Sequence, residues 1–309
     1  YVGPAIRTAV SCAPGIVATN PTQPPSALAS ATVVDAASEI SIRPLASHAE
    51  FRACVALQSD VWGAEYGDVI PGSLLHVVSH VGGIVAGAFD RDSELIGFVF
   101  GLSGIKDGQV VHWSHALGVR ESARNAGVGR MLKHYQRAEL ARRGIATLYW
   151  TFDPLMAKNA HLNLNRLGAR VVEYVENMYG TTTSPLHHGL ATDRLVVSWS
   201  TSPSAARPTL PPNLDAEHAR ALPVLTPEPH AGDILAHIES TERPPVLRIE
   251  VPADIQRITI PAIIARWHAA LRTHFEWALR NGYTVSGLHR DPVSDRSFYV
   301  LAHATGKGS

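Results

Sequence analysis

The sequence predicts an α/β fold built on one mixed sheet, and three observations carry that reading. Residues 110–119 alternate as a strand and run through Arg124-Asn125-Ala126-Gly127-Val128-Gly129 into a helical pattern that stops at Gly144. Two apolar runs, Ile84–Phe89 and Leu95–Leu102, are joined by Asp90-Arg91-Asp92-Ser93, a hairpin signal. Helical and strand periods then keep alternating to residue 200, the pattern of helices packed on a sheet.

Taken in order, residues 1–36 are rich in Ala, Ser, Thr, Pro and Val, with Arg7 the only charge before Asp35. They read as a poorly ordered extension without the compact apolar core of a secretory signal. Glu39–Pro44 reads as a strand. Phe51, Val55, Leu57, Val61 and Trp62 mark a helix, and Tyr66–Pro71 a turn-rich connection. A second short helix carries Leu74, Leu75, Val77 and Val78 and is broken by Gly82-Gly83. After the hairpin and the central strand, the helix following Gly127 has an apolar stripe of Val128, Met131, Leu132, Tyr135 and Ala138, with Arg130, Lys133, His134 and Arg137 between. Then come a strand at Thr147–Phe152, a helix from about Leu155 to Leu167, and strands at Ala169–Val175 and Arg194–Ser200.

Residues 202–245 hold a dense run of prolines and read as an irregular connection, with a short helix near Ile234–Ile238. Residues 246–309 form a compact β-α-β-β unit: strand Val246–Val251, a helix opened by Pro261 with a stripe of Ile264, Trp267, Leu271, Phe275 and Ala278, then strands Tyr283–Leu288 and Ser297–Ala302. A unit of that size cannot bury a full core by itself, so it packs either on the main sheet, residues 37–201, or against a partner subunit as a homodimer.

Composition narrows the function. Lys+Arg and Asp+Glu are both 27, so no net field draws in nucleic acid or an anionic membrane. Cys12 and Cys54 build neither a disulfide framework nor a metal cluster, and the sixteen histidines are scattered, with His76 and His80 the single pair at i, i+4 and no third ligand spaced with them, so no metal is expected. With no apolar run of membrane length, the expectation is a cytoplasmic protein.

A strand, a glycine turn and a helix N-terminus together make an anion site: backbone N–H groups are unpaired there, and glycine permits close approach. The motif is Arg-x-x-Gly-x-Gly, neither a dinucleotide fingerprint nor a P-loop. On these residues the chain resembles the GNAT superfamily of acyl-CoA N-acyltransferases over roughly residues 40–200, and one subgroup of predicted members with an extra C-terminal segment. The resemblance implies a mostly antiparallel central sheet flanked by helices, and acetyl-CoA or another acyl-CoA as co-substrate. It implies a pyrophosphate site at Arg124, Asn125, Ala126, Gly127, Val128, Gly129 and Arg130, backbone contacts from Leu117 and Val119, and a cofactor contact from Asn159. The implied reaction is transfer of an acyl group to a small-molecule amine by direct attack.

Such transfer requires an amine that has lost its proton and a thiolate that gains one. His115, in the strand before the loop, is the leading candidate base, because imidazole titrates near neutrality. The stretch His115–Val119 also resembles the histidine-bearing strand of the arylalkylamine acyltransferase branch. His112 would face the opposite side of a regular strand unless a bulge intervenes. Ser114 either bonds substrate or lines the strand. Asp153 either holds a substrate ammonium or caps the next helix. Trp62, Tyr66 and Asp68 are placed to shape an acceptor pocket, and Arg272, His274 and Arg290 to approach the site from the C-terminal unit. The tyrosine that many GNAT members use to protonate the thiolate aligns with Leu164, which passes a general-acid role to Tyr135, Tyr149, Tyr174 or water. The competing reading is a non-catalytic CoA-binding module used for sensing or assembly.

Overall fold

The computed structural model describes residues 32–35, 39–64, 66–180, 192–211, 214, 216–226, 243–291, 293–294 and 296–303. These lie in one compact unit, Thr32–Ser309. Its core is an eight-stranded sheet. The strands are β1 (Val33–Asp35), β2 (Ile40–Pro44), β3 (Ile84–Phe89), β4 (Leu95–Lys106), β5 (Gln109–Val119), β6 (Thr147–Phe152), β7 (Arg170–Val175) and β8 (Arg194–Ser200). Their spatial order is β1-β2-β3-β4-β5-β6-β8-β7. Every neighbouring pair is antiparallel except β5 with β6.

Two layers of helix cover the sheet. On one face lie α1 (His48–Trp62) and α2 (Gly72–His80). Ser47 and Glu50 close a capping box at the start of α1, satisfying two orphan amides. Phe51, Cys54, Leu57 and Leu75 pack here against Val85, Phe98 and Phe100. In α2 only Leu75 and Val78 are buried, while Leu74 and Val77 face outward. On the other face lies α3 (Val128–Arg142), whose Val128, Leu132, Tyr135 and Leu140 pack against Ile84, Ala86, Ile96 and Val99. Gly144, at φ 73°, terminates α3 as expected of a C′ glycine.

The structure corrects several expectations. Val33–Asp35 pairs with Ile40–Ile42, so the ordered sheet starts inside the segment read as an extension. In α3, Ala138 is exposed and Lys133 is buried, so the inward face is rotated from the apolar stripe. The helix expected from Leu155 begins at Ala157, because the Asp153 carboxylate holds the Leu155 N–H at 2.8 Å in a turn. This helix, α4 (Ala157–Ala160), continues as a π-helical stretch, His161–Leu167. Such wide turns tend to re-aim side chains. Here Asn163 accepts a hydrogen bond from Trp150 Nε1 at 3.1 Å inside the main core, while Asn165 turns toward the C-terminal unit.

The proline-rich connection is also more structured than expected. It contains α5 (Ala216–Ala221) and β9 (Val224–Leu225). The helix expected at Ile234–Ile238 lies outside the described residues. Strand β9 pairs in parallel with β10 (Val246–Val251), so the second sheet has four strands, ordered β11-β12-β10-β9, with β11 at Tyr283–Asp291 and β12 at Arg296–His303. Helix α6 (Pro261–Arg280) lies against it, burying Ile264, Leu271, Phe275 and Ala278.

This unit shares one continuous apolar cluster with the main sheet, from Val171 and Leu164 to Phe275 and Tyr299. Asn165 fastens the contact like a strand rung: Nδ2 donates to Leu288 O at 2.8 Å and Oδ1 accepts from Leu288 N at 2.9 Å. No helix among the described residues is long and apolar enough to cross a membrane.

Candidate acyl-CoA cleft

The one parallel junction of the main sheet is short. Strands β5 and β6 are in register only at His112–Leu148 and Trp113–Tyr149. Beyond Trp113, β5 still pairs with β4 but no longer with β6. From Ser114 to Val119 one edge of β5 therefore faces a wedge, and its backbone groups need other partners. The wedge points toward the glycine loop, which lies between the end of β5 and the start of α3.

The loop has the conformation an anion site requires. Asn125 (φ 67°) and Gly127 (φ 82°) are left-handed. Gly127 is the N-cap of α3 and no side chain caps that end, so the first amides stay free. A Cβ on Gly129 would meet only Leu117 and Val119, the two β5 residues expected to line the cofactor path. Arg124, Asn125, Ala126 and Arg130 are exposed around the loop, and Arg124 Nε donates to Val119 O at 3.3 Å. Asn159 is exposed on α4.

A bulge interrupts β5 at the wedge. Phe100 pairs with Ala116 and Gly101 with Ser114, leaving His115 as the extra residue. The bulge does not bring the two histidines together. His115 lies on the α1–α2 face, its ring edge-on to Phe100 at 6.0 Å. Packing of the imidazole against that face lowers its pKa, and Asp68 nearby acts in the opposite sense. Tyr66 lies in the same neighbourhood. Burial raises its pKa foremost, Asp68 and Tyr179 add to the rise, and Arg194 opposes it. The Trp62 ring lies tilted against Tyr66 at 5.1 Å.

His112 points the other way. It is fully buried, with Nδ1 3.0 Å from Ser103 Oγ and Nε2 3.1 Å from Gln136 Nε2. Burial, with Lys133 and Arg143 close by, pushes its pKa down to about 3. Gly101 makes room for this network, since a Cβ there would meet His112 Nε2 at 2.3 Å. The role of substrate-facing base expected for His112 does not fit this placement. A neutral ring enclosed on the α3 side is out of reach of the face that carries His115.

Asp153 does not cap α4, whose N-cap is Met156, but closes the turn that precedes it. It holds the Leu155 amide and lies 3.8 Å from Arg194. Arg194 in turn lies over the Tyr179 ring, and the Tyr179 hydroxyl is 3.1 Å from Thr151 Oγ1. Tyr179 and Arg194 went unnoticed in the sequence, because one sits in a turn and the other opens a strand, with no motif around either. The C-terminal unit also contributes differently from expectation. Arg272 is engaged by Asp193 and Glu176, His274 is buried with its pKa pushed down to about 4, and Arg290 is exposed on β11. Instead His268 of α6 feels Asp153, with burial lowering its pKa foremost.

Of the tyrosines expected as proton donors, Tyr174 is engaged by a carboxylate and Tyr135 is enclosed in the core. Tyr174 donates to Asp193 Oδ2 at 2.8 Å, and burial foremost, with that hydrogen bond adding to it, raises its pKa far above the usual phenol range. Tyr149 stacks on Trp113 at 6.5 Å, and Tyr135 is buried in the α3 core. Leu164 is enclosed in the π-helical turn. Cys54 is buried in α1 with its thiol pushed up to about 12, so no thiolate nucleophile is available there.

The mostly antiparallel central sheet flanked by helices is the architecture expected from the sequence. Among solved structures the chain is similar to an aminoglycoside 6'-acetyltransferase type Ii (22% identity, TM-score 0.43, covering 53% of this chain and 99% of that one). It is also similar to the ribosomal-protein-S18-alanine N-acetyltransferase from Escherichia coli (16%, TM-score 0.42, 57% and 99%). A third is an aminoglycoside 6'-N-acetyltransferase complexed with coenzyme A (19%, TM-score 0.41, 53% and 99%). No protein-family model and no curated protein sequence matches the chain.

Proposed function

We infer that the chain is an acyl-CoA N-acyltransferase that moves an acyl group, acetyl foremost, to a small-molecule amine by direct attack. The observation that carries this reading is the open β5 edge running from the bulge at His115 into an uncapped helix N-terminus behind a left-handed glycine. The free amides of that terminus suit a pyrophosphate. The exposed edge of β5 can hydrogen-bond the amides of an extended pantetheine arm, much as a strand would. Leu117, Val119, Arg124 to Arg130 and Asn159 are the cofactor-binding residues in this reading.

On the α1–α2 face, His115, Asp68, Tyr66, Thr151 and Tyr179 surround the position from which an amine would attack. His115, neutral over most of the physiological range because its pKa is lowered, accepts the proton that the amine loses. Asp153 holds the chain reversal between β6 and α4 and orients Arg194 rather than touching substrate.

A competing reading, a CoA-binding module without turnover, draws on Leu164, which leaves the helix beside the wedge without an acidic hydroxyl. Calorimetry with acetyl-CoA, followed by thiol release assayed with a panel of amines, separates the two. Acetyl-CoA binding with amine-dependent release supports the enzyme. Binding without release by any amine supports the module, and no binding removes both.

A further inference from the structure

The inward face of α3 carries a lysine where the packing calls for an apolar residue. Lys133 is 5% exposed, and its Nζ lies 4.1 Å from the centre of the Trp150 ring. It makes a single hydrogen bond among the described residues, donating to Ser114 Oγ at 2.7 Å. No carboxylate among the described residues acts on it, and burial brings its pKa down to about 7. The titratable group nearest it on β5, His112, is neutral. Burying an ammonium without a counter-charge costs more than one hydrogen bond and one ring contact offset, and a methionine would fill the same space at lower cost. Groups kept at such a cost cluster at functional sites.

The position of the pair gives the cost a purpose. Register between β5 and β6 ends at Trp113–Tyr149. Ser114 and Trp150 are the next residues on each strand, so Lys133 spans the apex of the wedge. From Val119, beside the glycine loop, to Ser114 is five residues, roughly 16 Å along a strand. The pantetheine arm has about thirteen bonds between phosphorus and sulfur, and an extended chain of that length reaches about 15 Å. A cofactor anchored at the loop and laid along the open edge thus ends with its sulfur at Ser114. Because Lys133 donates to Oγ, the hydroxyl hydrogen of Ser114 is free to point at that sulfur; it has no acceptor among the described residues.

We propose that Lys133, acting through Ser114, delivers the proton that the departing CoA thiolate needs. This rests on the acyl-CoA reading of the cleft. The amine nitrogen forms the C–N bond and loses one proton on the His115 side. The C–S bond breaks with its electron pair going to sulfur. Ser114 gives its hydroxyl proton to sulfur and takes one from Lys133 Nζ, leaving a free thiol and a neutral lysine that solvent reprotonates. Lys133 is a positioning and relay residue; Ser114 is the group that touches the cofactor.

The test uses free CoA bound to the full chain, with the ultraviolet absorbance of its thiolate followed against pH for wild type, Lys133→Met and Ser114→Ala. In the wild type, the bound thiol and Lys133 should titrate as a coupled pair, the thiolate holding the lysine's proton, so that the thiol ionises about one pH unit or more below free CoA. Lys133→Met should return it to the free value while CoA affinity changes little, and the variant should melt higher than wild type, because a buried charge is gone. Ser114→Ala, which leaves the lysine in place, should move the thiol in the same direction by less. In turnover, Lys133→Met should lose roughly 10²-fold with acetyl-CoA, and the loss should shrink with an acyl donor whose thiol is more acidic. A bound thiol that ionises alike in wild type and Lys133→Met overturns the proposal. So does a Lys133→Met that melts lower with the thiol unmoved, since that marks a structural lysine. Wild type that fails to bind CoA overturns the cleft assignment itself, a result distinct from either.

Discussion

The hydroxyl of Tyr299, at the centre of the C-terminal sheet, donates to the carbonyl of Pro154 at 2.7 Å. Pro154 follows Asp153 in the turn between β6 and α4, so the C-terminal unit grips the wall of the cleft. Both groups are buried. Tyr299→Phe keeps the ring and leaves the carbonyl without its partner, which should cost about 1–3 kcal/mol. Urea unfolding reads this as a lower midpoint at unchanged slope. An unchanged midpoint would mean that the hydroxyl contact contributes nothing.

The two loop glycines should fail for different reasons. Gly127 sits at φ 82° with open space around it, so Gly127→Val strains the backbone by about 1–2 kcal/mol or more and loses CoA binding with it. Gly129 has an ordinary φ, and a Cβ there makes only normal contacts. Gly129→Val should therefore fold with little loss of stability and still lose CoA affinity, because its branches occupy the anion's approach. Calorimetry beside thermal melting separates the cases; full affinity in a folded Gly129→Val would remove the loop from the cofactor site.

The pH–rate profile should report His115. Its pKa is held below the ordinary imidazole value by burial, and Asp68 opposes the shift. Activity should therefore rise with pH, with its midpoint below the ordinary imidazole value. Asp68→Asn removes the opposing charge and should move the inflection to still lower pH. His115→Ala should lose roughly 10²–10⁴-fold, with the gap narrowing at high pH, where free amine is abundant. Equal profiles for wild type and both variants would sink the assignment.

His112 should appear in stability rather than in rate. Its folded pKa, about 3, lies below the ordinary 6.5, so between those values the unfolded chain binds the extra proton. Stability from this group is full above about pH 6.5 and falls as pH drops toward 3, by about 1.4 kcal/mol per pH unit. Between pH 7 and 5 the wild type should lose about 2 kcal/mol more than His112→Gln does. Chemical denaturation at both pH values measures the difference, and parallel losses would exclude His112 as the source.

The sequence was most legible where period and turn chemistry agreed. Strands Thr147–Phe152, Arg194–Ser200 and Val246–Val251, and the helix opened by Pro261, lie where alternation and the early proline put them. It was least legible where long-range partners decide the outcome. Lys133 reads as solvated in a helical wheel, and only Ser114 on β5 and Trp150 on β6 draw it inward. Val224–Leu225 is too short to signal a strand and forms one because β10 offers an edge. The π-helical turn carries no local mark; Trp150 and Leu288, met by Asn163 and Asn165, show what it accommodates. Part of the candidate site followed from resemblance to a known motif, while side chains such as Tyr179 and His268 are brought near Tyr66 and Asp153 by no local pattern.

The junction of β5 and β6 has a mechanical consequence. Two register pairs join β1–β5 to the trio of β6, β8 and β7, so backbone hydrogen bonding across the main sheet narrows to one short seam, and the apolar core under α3 supplies the rest of the connection. An extended ligand bonded to the free edge of β5 would add the absent rungs and brace the seam. His115 lies on one side of it, while Thr151 and Asp153 belong to the other. In the proposed reading, a ligand that fills the seam would therefore bear on the distance between them.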